Sequence, residues 1–154
     1  MKIAYTGLNL QEGKVKYNDR VFVAFAEKFQ PAKLSPYYFE FLLENYEAAD
    51  AIAIASDRVL DLLILDIDKI EGRLSRVEGP AEKDVLGKCL AHLEEQKPLC
   101  DLSLDVSEHA IVKALGPLSF KPTVVVDDPS LDANVVCRAV MEKAGMMFFY
   151  TVGK

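Results

Sequence analysis

The sequence contains few of the residues that build metal sites and disulfide frameworks. It has three cysteines and two histidines among 154 residues, and no Cys-x-x-Cys pair. His92 and His109 do not stand at zinc-finger spacing from Cys89, Cys100 or Cys137. An odd number of widely spaced cysteines predicts reduced, buried thiols in a cytoplasmic protein. We therefore expect no bound metal and no disulfide.

Long apolar runs and an excess of basic charge are missing as well. No run reaches the roughly 20 residues that span a bilayer, and residues 2–6 predict a short strand ending at Gly7 rather than a signal peptide. The formal net charge of −6 argues against DNA binding, because phosphate contacts need clustered Lys and Arg. With 51% apolar residues, the chain has enough material for one folded domain over residues 1–154. We expect neither a membrane nor DNA as a partner.

The most regular stretch is residues 57–97, which predicts an antiparallel helical hairpin. Apolar residues recur there at steps of three and four, which keeps them on one face of a helix. They are Leu60, Leu63, Ile67, Ile70, Leu74 and Val77 in the first helix, and Leu86, Leu90 and Leu93 in the second. Gly79 and Pro80 separate the helices, and Ser56 or Asp57 is the expected cap of the first. We interpret the hairpin as a coiled-coil arm inserted within the domain.

Short apolar runs alternate with helical patterns in the rest of the chain. Residues 51–55 and 123–126 are typical of strands buried on both faces of a parallel sheet. Further strands are predicted at 37–43 and 146–152, and helices at 107–115 and 129–144. Residues 19–28 predict another helix, and a strand over 21–26 is the alternative for that segment. This alternation predicts an α/β fold around a mostly parallel sheet.

The first candidate site is a phosphate-binding loop between Gly7 and Lys14. Gly7, Gly13 and Lys14 follow a predicted strand, as in loops whose backbone N–H groups surround phosphates. Five residues separate the glycines instead of four, and Val15 stands where a Ser or Thr would reach magnesium. Glu12 would also place negative charge beside the phosphates. We expect no catalytic or cofactor-binding residue here; the alternative is ATP or GTP with magnesium bound through Gly7, Gly13 and Lys14.

Two acidic pairs have both a structural and a functional interpretation. Asp127 and Asp128 follow a predicted strand, at the edge where α/β sheets bind ligands. We favour a helix cap before Pro129 over a cation site. Asp66 and Asp68 project about 200° apart on a helix, so they do not form a joint acid–base site. The charges of the hairpin alternate in sign, which is typical of a solvated face.

Several phrases of the sequence, in the same order, resemble the YchF/Obg-like ATPase family, a branch of the translation-factor GTPases. The most specific phrases lie in the hairpin, at residues 61–63, 74–78 and 90–98. Others lie at residues 18–33, 36–41, 49–53, 102–104, 121–122 and 148–154. The resemblance implies a shortened P-loop NTPase-like α/β fold with a coiled-coil arm and cytoplasmic localisation.

The family's nucleotide-binding motifs have no match at the corresponding positions. The chain passes from Gly7 almost directly to the segment that follows the family's first helix. Residues 42–47 stand in place of the Asp-x-x-Gly switch, and residues 127–130 in place of the base-specificity motif. The family's TGS domain has no counterpart either. We therefore expect a degenerate relative, a non-catalytic scaffold that acts through protein or ribosome-associated contacts.

The missing first helix also implies a partner. Without that helix, we expect apolar sheet surface that another chain must cover. The expected partner is a second copy in a homodimer or another stable protein, with a full-length YchF relative as one candidate.

Overall fold

The computed structural model describes residues 1–17, 24, 27–28 and 37–145. Its strands and helices, in chain order, are β1 (Lys2–Thr6), β2 (Gly13–Lys16), β3 (Tyr38–Leu43), β4 (Ala51–Ala55), α1 (Val59–Leu74), α2 (Pro80–Glu94), α3 (Val106–Leu115), β5 (Thr123–Val126) and α4 (Ala133–Ala144). Two short 3-10 turns, Leu99–Asp101 and Leu118–Phe120, flank α3. The predicted α/β class is confirmed.

Two predicted elements lie wholly or partly outside the described residues. Ala24, Glu27 and Lys28 are helical, in agreement with the helix predicted over 19–28; the other residues of that helix lie outside the described part. The predicted last strand, 146–152, lies outside it entirely.

The five strands form one mostly parallel sheet in the order β2-β3-β1-β4-β5. β1 pairs in parallel with β3 and β4, and β4 pairs in parallel with β5, whereas β2 pairs antiparallel with β3. β4 lies between two neighbours and all of its residues are buried, which explains its continuous apolar run. β2 was not predicted, because its alternating Gly-Lys-Val-Lys sequence is exposed at the sheet edge and resembles a polar loop.

One face of the sheet is covered by α1, which packs in turn against α2. Leu62 and Leu63 of α1 form a core cluster with Ile52 and Ile54 of β4. From α2, the residues that join this cluster are Val85, Leu86, Cys89 and Leu93. The two helices occupy the residues predicted for the hairpin. That the pair forms an insertion separate from the rest of the domain stays a prediction.

The predicted apolar seam of α1 was wrong in two places. Leu60 is 45% exposed and does not face the core. Asp66, assigned to a solvated face, is only 1% exposed. The buried face is centred on Val59, Leu62 and Ile70 instead, because the sheet and the Leu118–Phe120 turn contact the helix as well as α2 does.

On the opposite face of the sheet, α4 packs against β4 and β5. Val136, Cys137 and Val140 pack there in a second core cluster with sheet residues. The sheet residues of this cluster include Ile3, Tyr5, Phe39, Phe41, Ala51 and Ala53, none of them more than 4% exposed. The expectation of a bare apolar sheet surface is therefore wrong for these residues; the large apolar side chains that stay exposed on the described strands are Tyr38, Leu43 and Val125.

Some helix ends differ from the prediction. α1 begins at Val59 after Arg58, without a side-chain cap from Ser56 or Asp57. α4 begins at Ala133 rather than at Pro129, and its cap is the side chain of Asp132. The Asp128 carboxylate instead accepts a hydrogen bond from Ser130 in the turn before the helix. The helix therefore starts three to four residues later than predicted.

Candidate functional site

The carboxyl edge of the sheet is the candidate site. The parallel strands β1, β3, β4 and β5 all end at this edge, which is where open α/β sheets bind ligands. The segments that leave the strands at this edge begin at residues 7, 44, 56 and 127, and all of them are described. The chemistry of the edge depends on whether these segments leave polar groups free.

Gly7, the first residue after β1, lies under the side chain of Arg58. Its φ of +73° is one that side-chain-bearing residues rarely adopt. A Cβ atom at Gly7 would lie 2.8 Å from the Cβ of Ala55 and 2.9 Å from the Cγ of Arg58. The space that a side chain at Gly7 would need is therefore occupied by Ala55 and by the aliphatic part of Arg58. The guanidinium continues to the carboxylate of Asp61, at 3.1 Å.

The loop from Gly7 to Glu12 folds back over the edge, and backbone groups of Asn9 and Leu10 form hydrogen bonds with residues outside the loop. The backbone N–H of Asn9 donates to the carbonyl of Pro129 at 2.8 Å. The hydroxyl of Tyr5 donates to the carbonyl of Leu10 at 3.2 Å. Because Leu8 and Leu10 also pack against the second core cluster, the loop is anchored at both polar and apolar positions.

Glu12 closes the end of this loop against β3. Its carboxylate accepts a hydrogen bond of 2.9 Å from the backbone N–H of Leu43. Burial raises the pKa of the Tyr5 hydroxyl, and the negative charge of Glu12 raises it further. Glu12 therefore contributes one negative charge near the end of β1.

Thr6 and Tyr46 join the ends of β1 and β3 through a hydrogen bond between their hydroxyl groups. Thr6 is buried and Tyr46 is half-buried. Burial raises the pKa of Tyr46, although the hydrogen bond with Thr6 works in the opposite direction. Tyr46 therefore stays protonated and serves as a structural link, not as a base near neutral pH.

Asp128 is engaged in a turn, whereas Asp127 is exposed to solvent. The carboxylate of Asp128 accepts bonds from the backbone N–H of Ser130 at 3.0 Å and from its hydroxyl at 2.6 Å. These two bonds lower the pKa of Asp128. This supports the structural interpretation of the pair, although the cap of α4 is Asp132 rather than either of these residues.

Gly13 and Lys14 lie at the opposite end of the sheet from Gly7. In the strand register, Lys14 is opposite Glu40, which is in turn opposite Lys2. Lys14 is therefore level with Lys2, five residues before Gly7. At about 3.3 Å per residue, these levels are roughly 16 Å apart along the sheet, so Lys14 and Gly7 are not brought together.

At its own end, Lys14 lines a shallow surface pocket of about 430 Å³. The other residues that line this pocket are Met1, Lys2, Tyr38, Phe39 and Glu40. Gly13 has a φ of +121° and open space where a Cβ would be, as a turn into an edge strand requires. Gly7 and Gly13 therefore do not bend the backbone around one common phosphate position.

The cysteines have the character of structural residues. All three are free thiols. Burial raises the pKa of Cys89 to about 11 and that of Cys137 to about 12, and also raises the pKa of Cys100. Thiols of this kind are poor nucleophiles and poor metal ligands at neutral pH. Among the described residues, no three His, Cys, Asp or Glu side chains converge in a way that could hold a metal ion.

Sequence reasoning missed Arg58 and Tyr46 as residues of this edge. In the sequence, Arg58 is an ordinary residue at the start of a helix. Only the short distances from the Cβ position of Gly7 to Ala55 and to Arg58 show that the aliphatic part of Arg58 covers the end of β1. Tyr46 lies in a polar segment without periodicity, and its partner Thr6 is 40 residues away in the chain. No local pattern could have identified that contact.

Comparison with known proteins identifies the fold. No protein-family model and no curated protein matches the sequence. The solved structure of the Schizosaccharomyces pombe YchF GTPase is similar to this chain, with a TM-score of 0.61 and 14% sequence identity over 93% of the chain. The chain spans 62% of the length of that structure. The expected YchF-like, P-loop NTPase-like fold is confirmed, and the low identity limits this result to the fold. In the described part of the chain, no helix is long and apolar enough to cross a membrane.

Proposed function

We propose that this protein is a non-catalytic relative of the YchF GTPases, a scaffold that acts through protein or ribosome-associated contacts and does not hydrolyse nucleotide. The observation that carries the proposal is the separation of Lys14 from Gly7. A phosphate loop requires backbone N–H groups and a lysine around one phosphate. Here the strand register puts the lysine and the first glycine at opposite ends of the sheet.

The contents of the carboxyl edge support the same proposal. A YchF-like sheet would present nucleotide contacts there, but Arg58 covers Gly7 and the N–H of Asn9 already binds Pro129. The described chain passes from the loop directly into β2, so no helix N-terminus follows β1 to stabilise a phosphate with its dipole. Glu12 adds a carboxylate on the same side.

Calorimetric titration with ATP and with GTP, each with magnesium, tests the proposal. We expect no saturable heat up to a ligand concentration of about 1 mM, which corresponds to a binding free energy weaker than about −4 kcal/mol. We also expect no release of phosphate above the protein-free blank. Lys14→Ala is the informative variant, and Lys83→Ala, an exposed lysine on α2, is its matched control.

A positive result would identify the alternative function. Saturable, magnesium-dependent binding that Lys14→Ala abolishes and Lys83→Ala retains would establish a residual ATP- or GTP-binding protein. Phosphate release with the same dependence would make it an NTPase. Either outcome would overturn the scaffold proposal.

A further inference from the structure

Helix α1 carries apolar side chains on the face that points away from the core. Leu60 is 45% exposed, Ile64 is 51% exposed and Leu65 is 47% exposed. Leu60 and Ile64 are four residues apart and therefore adjacent on one helical face, and Leu65 lies about 100° further round the helix, on the flank towards Leu118. We call these three residues the outer patch of α1.

The outer patch is unusual because the other face of the same helix is already buried. Val59, Leu62 and Leu63 alternate with the patch residues along the chain and pack into the core. Clustered exposed apolar residues on a folded protein mark a surface that another molecule covers.

Acidic side chains extend and border the outer patch. Asp68 lies one turn after Ile64, and Glu71 one turn after Asp68, so both continue the same face. Neither carboxylate takes part in any of the ion pairs found among the described residues. Asp61, on the same side of the helix, is balanced by Arg58 at 3.1 Å.

The nearest lysine of the helix does not neutralise this acidic border. The ammonium of Lys69 donates to the carbonyl of Gly116 at 3.1 Å, on the flank where α1 faces the Leu118–Phe120 turn. The exposed face therefore combines an apolar centre with unpaired negative charge at its carboxyl-terminal end.

The charges argue against a second copy of the chain as the occupant. Parallel pairing of two α1 helices would bring Asp68 next to Asp68 and Glu71 next to Glu71. Antiparallel pairing centred on Ile64 would bring Glu71 next to Asp57 of the other copy, and Asp68 close to Asp61. Like charges in contact at an interface are unfavourable in both arrangements, and a net charge of −6 adds to the repulsion.

We propose that the outer patch of α1 is a docking surface for a basic, amphipathic helix of another protein. Its apolar side chains would cover Leu60, Ile64 and Leu65, and its Lys or Arg side chains would pair with Asp68 and Glu71. In this kind of helix–helix recognition, apolar anchors give affinity and flanking charge gives orientation. The inference rests on the proposed scaffold function, since it names the chemistry of the partner.

The probe is a synthetic amphipathic helix of leucine and lysine, about 18 residues or five turns long. Two peptides serve as comparisons: one with glutamate in place of lysine, and one with the same residues in shuffled order. We expect the leucine–lysine peptide to bind at least about ten-fold more tightly than either comparison. Amide shifts in the NMR spectrum should concentrate between residues 60 and 71.

Paired variants separate the apolar and the charged contributions. Leu60→Ser with Ile64→Ser should weaken binding of the leucine–lysine peptide about ten-fold. Asp68→Asn with Glu71→Gln should weaken it and also reduce its dependence on salt. The matched controls are Val106→Ser with Val135→Ser, which are exposed on α3 and α4, and Asp84→Asn with Glu94→Gln on α2. The controls should change binding by less than about two-fold.

The inference would be overturned by no binding of the leucine–lysine peptide, by equal binding of all three peptides, or by equal effects of the patch and control variants. A concentration-dependent dimer lost in the Leu60→Ser, Ile64→Ser variant would overturn it in favour of a second copy. Circular dichroism of each variant verifies folding, and Ile64→Ala replaces the double variant if that one does not fold. None of these results depends on nucleotide binding, so failure here leaves the proposed scaffold function to its own test.

Discussion

Asp66 is the residue on which the contact between α1 and the Leu118–Phe120 turn depends. Its two carboxylate oxygens accept from the backbone N–H groups of Leu118 and Ser119, each at 2.7 Å, and the side chain is 1% exposed. We expect Asp66→Asn to lower the free energy of unfolding by about 2–4 kcal/mol, because the amide leaves a buried N–H facing another donor. Urea denaturation followed by circular dichroism measures this change.

The neighbouring aspartate provides the control for that prediction. Asp68 is exposed on the same helix, so Asp68→Asn should change the free energy of unfolding by no more than about 0.5 kcal/mol. Equal effects of the two substitutions would show that the Asp66 hydrogen bonds do not stabilise the fold.

A second prediction for single residues concerns the effect of pH on the three cysteine thiols. Burial raises the pKa of Cys89 to about 11 and that of Cys137 to about 12, whereas an unfolded thiol titrates near about 8.5. Their stabilising contribution is therefore complete below about pH 8.5 and is lost as the pH rises through the folded values. At about pH 9, iodoacetamide should alkylate Cys100 fastest in the native protein, because Cys100 is half-buried whereas Cys89 and Cys137 are buried. In urea all three thiols should react. Alkylation of Cys89 or Cys137 at the rate of Cys100, measured by mass spectrometry, would contradict this.

At the level of whole elements, two glycines should respond in opposite ways to the same substitution. Gly87 lies inside α2, and a Cβ there would meet no atom within 4 Å. Gly87→Ala should therefore raise the free energy of unfolding by about 0.5–1 kcal/mol, through helix propensity alone. Gly7→Ala should lower it by about 1–3 kcal/mol, because of its positive φ and the clash with Ala55 and Arg58. Thermal and urea unfolding of both variants test the pair, and a stabilising Gly7→Ala would refute the close approach.

The elements that could be predicted are those in which the spacing of apolar residues along the chain is typical of a helix or a strand. β4 and β5 could be predicted as strands because all or most of their side chains are apolar, but the prediction that both are buried on both faces is wrong for β5, which lies at the edge of the described sheet with Val125 exposed. α1 and α2 could be predicted because apolar residues return every three or four positions. β2 could not be predicted, since only its pairing with β3 makes Gly13–Lys16 a strand. The start of α4 was misplaced because Asp128 and Asp132 are equally good caps in sequence, and only the turn at Ser130 distinguishes them.

The candidate site was harder to predict than the fold, because its contacts join distant residues. Gly7 and Lys14 are close in sequence, but β2 returns along β3 and carries Lys14 to the other end of the sheet. The bond between Asn9 and Pro129 spans 120 residues of chain. The departures from the phosphate-loop motif concern residue types along the chain, so they could not indicate which distant residues fill the edge.

For the molecule as a whole, the question is whether α1 and α2 unfold as a separate arm or together with the sheet. Leu86, Cys89 and Leu93 of α2 are at most 1% exposed and share one core cluster with Ile52 and Ile54 of β4. Removing α2 would expose α1 and the Leu99–Asp101 turn as well as its own apolar face. Packing of this kind predicts a single cooperative transition.

Native-state hydrogen exchange distinguishes the two cases. We expect amides of Cys89 and Leu93 to exchange with the same opening free energy as those of Ile52 and Ile54, equal to the global value from urea denaturation. Amides of β2, at the sheet edge, should exchange at lower free energy and serve as the internal reference. Exchange of α2 well before β4 would instead establish an independently unfolding arm, as the hairpin pattern in the sequence predicts. Coincident exchange would mean that this hairpin is a structural layer of the domain, so that any binding through α1 would also stabilise the whole fold.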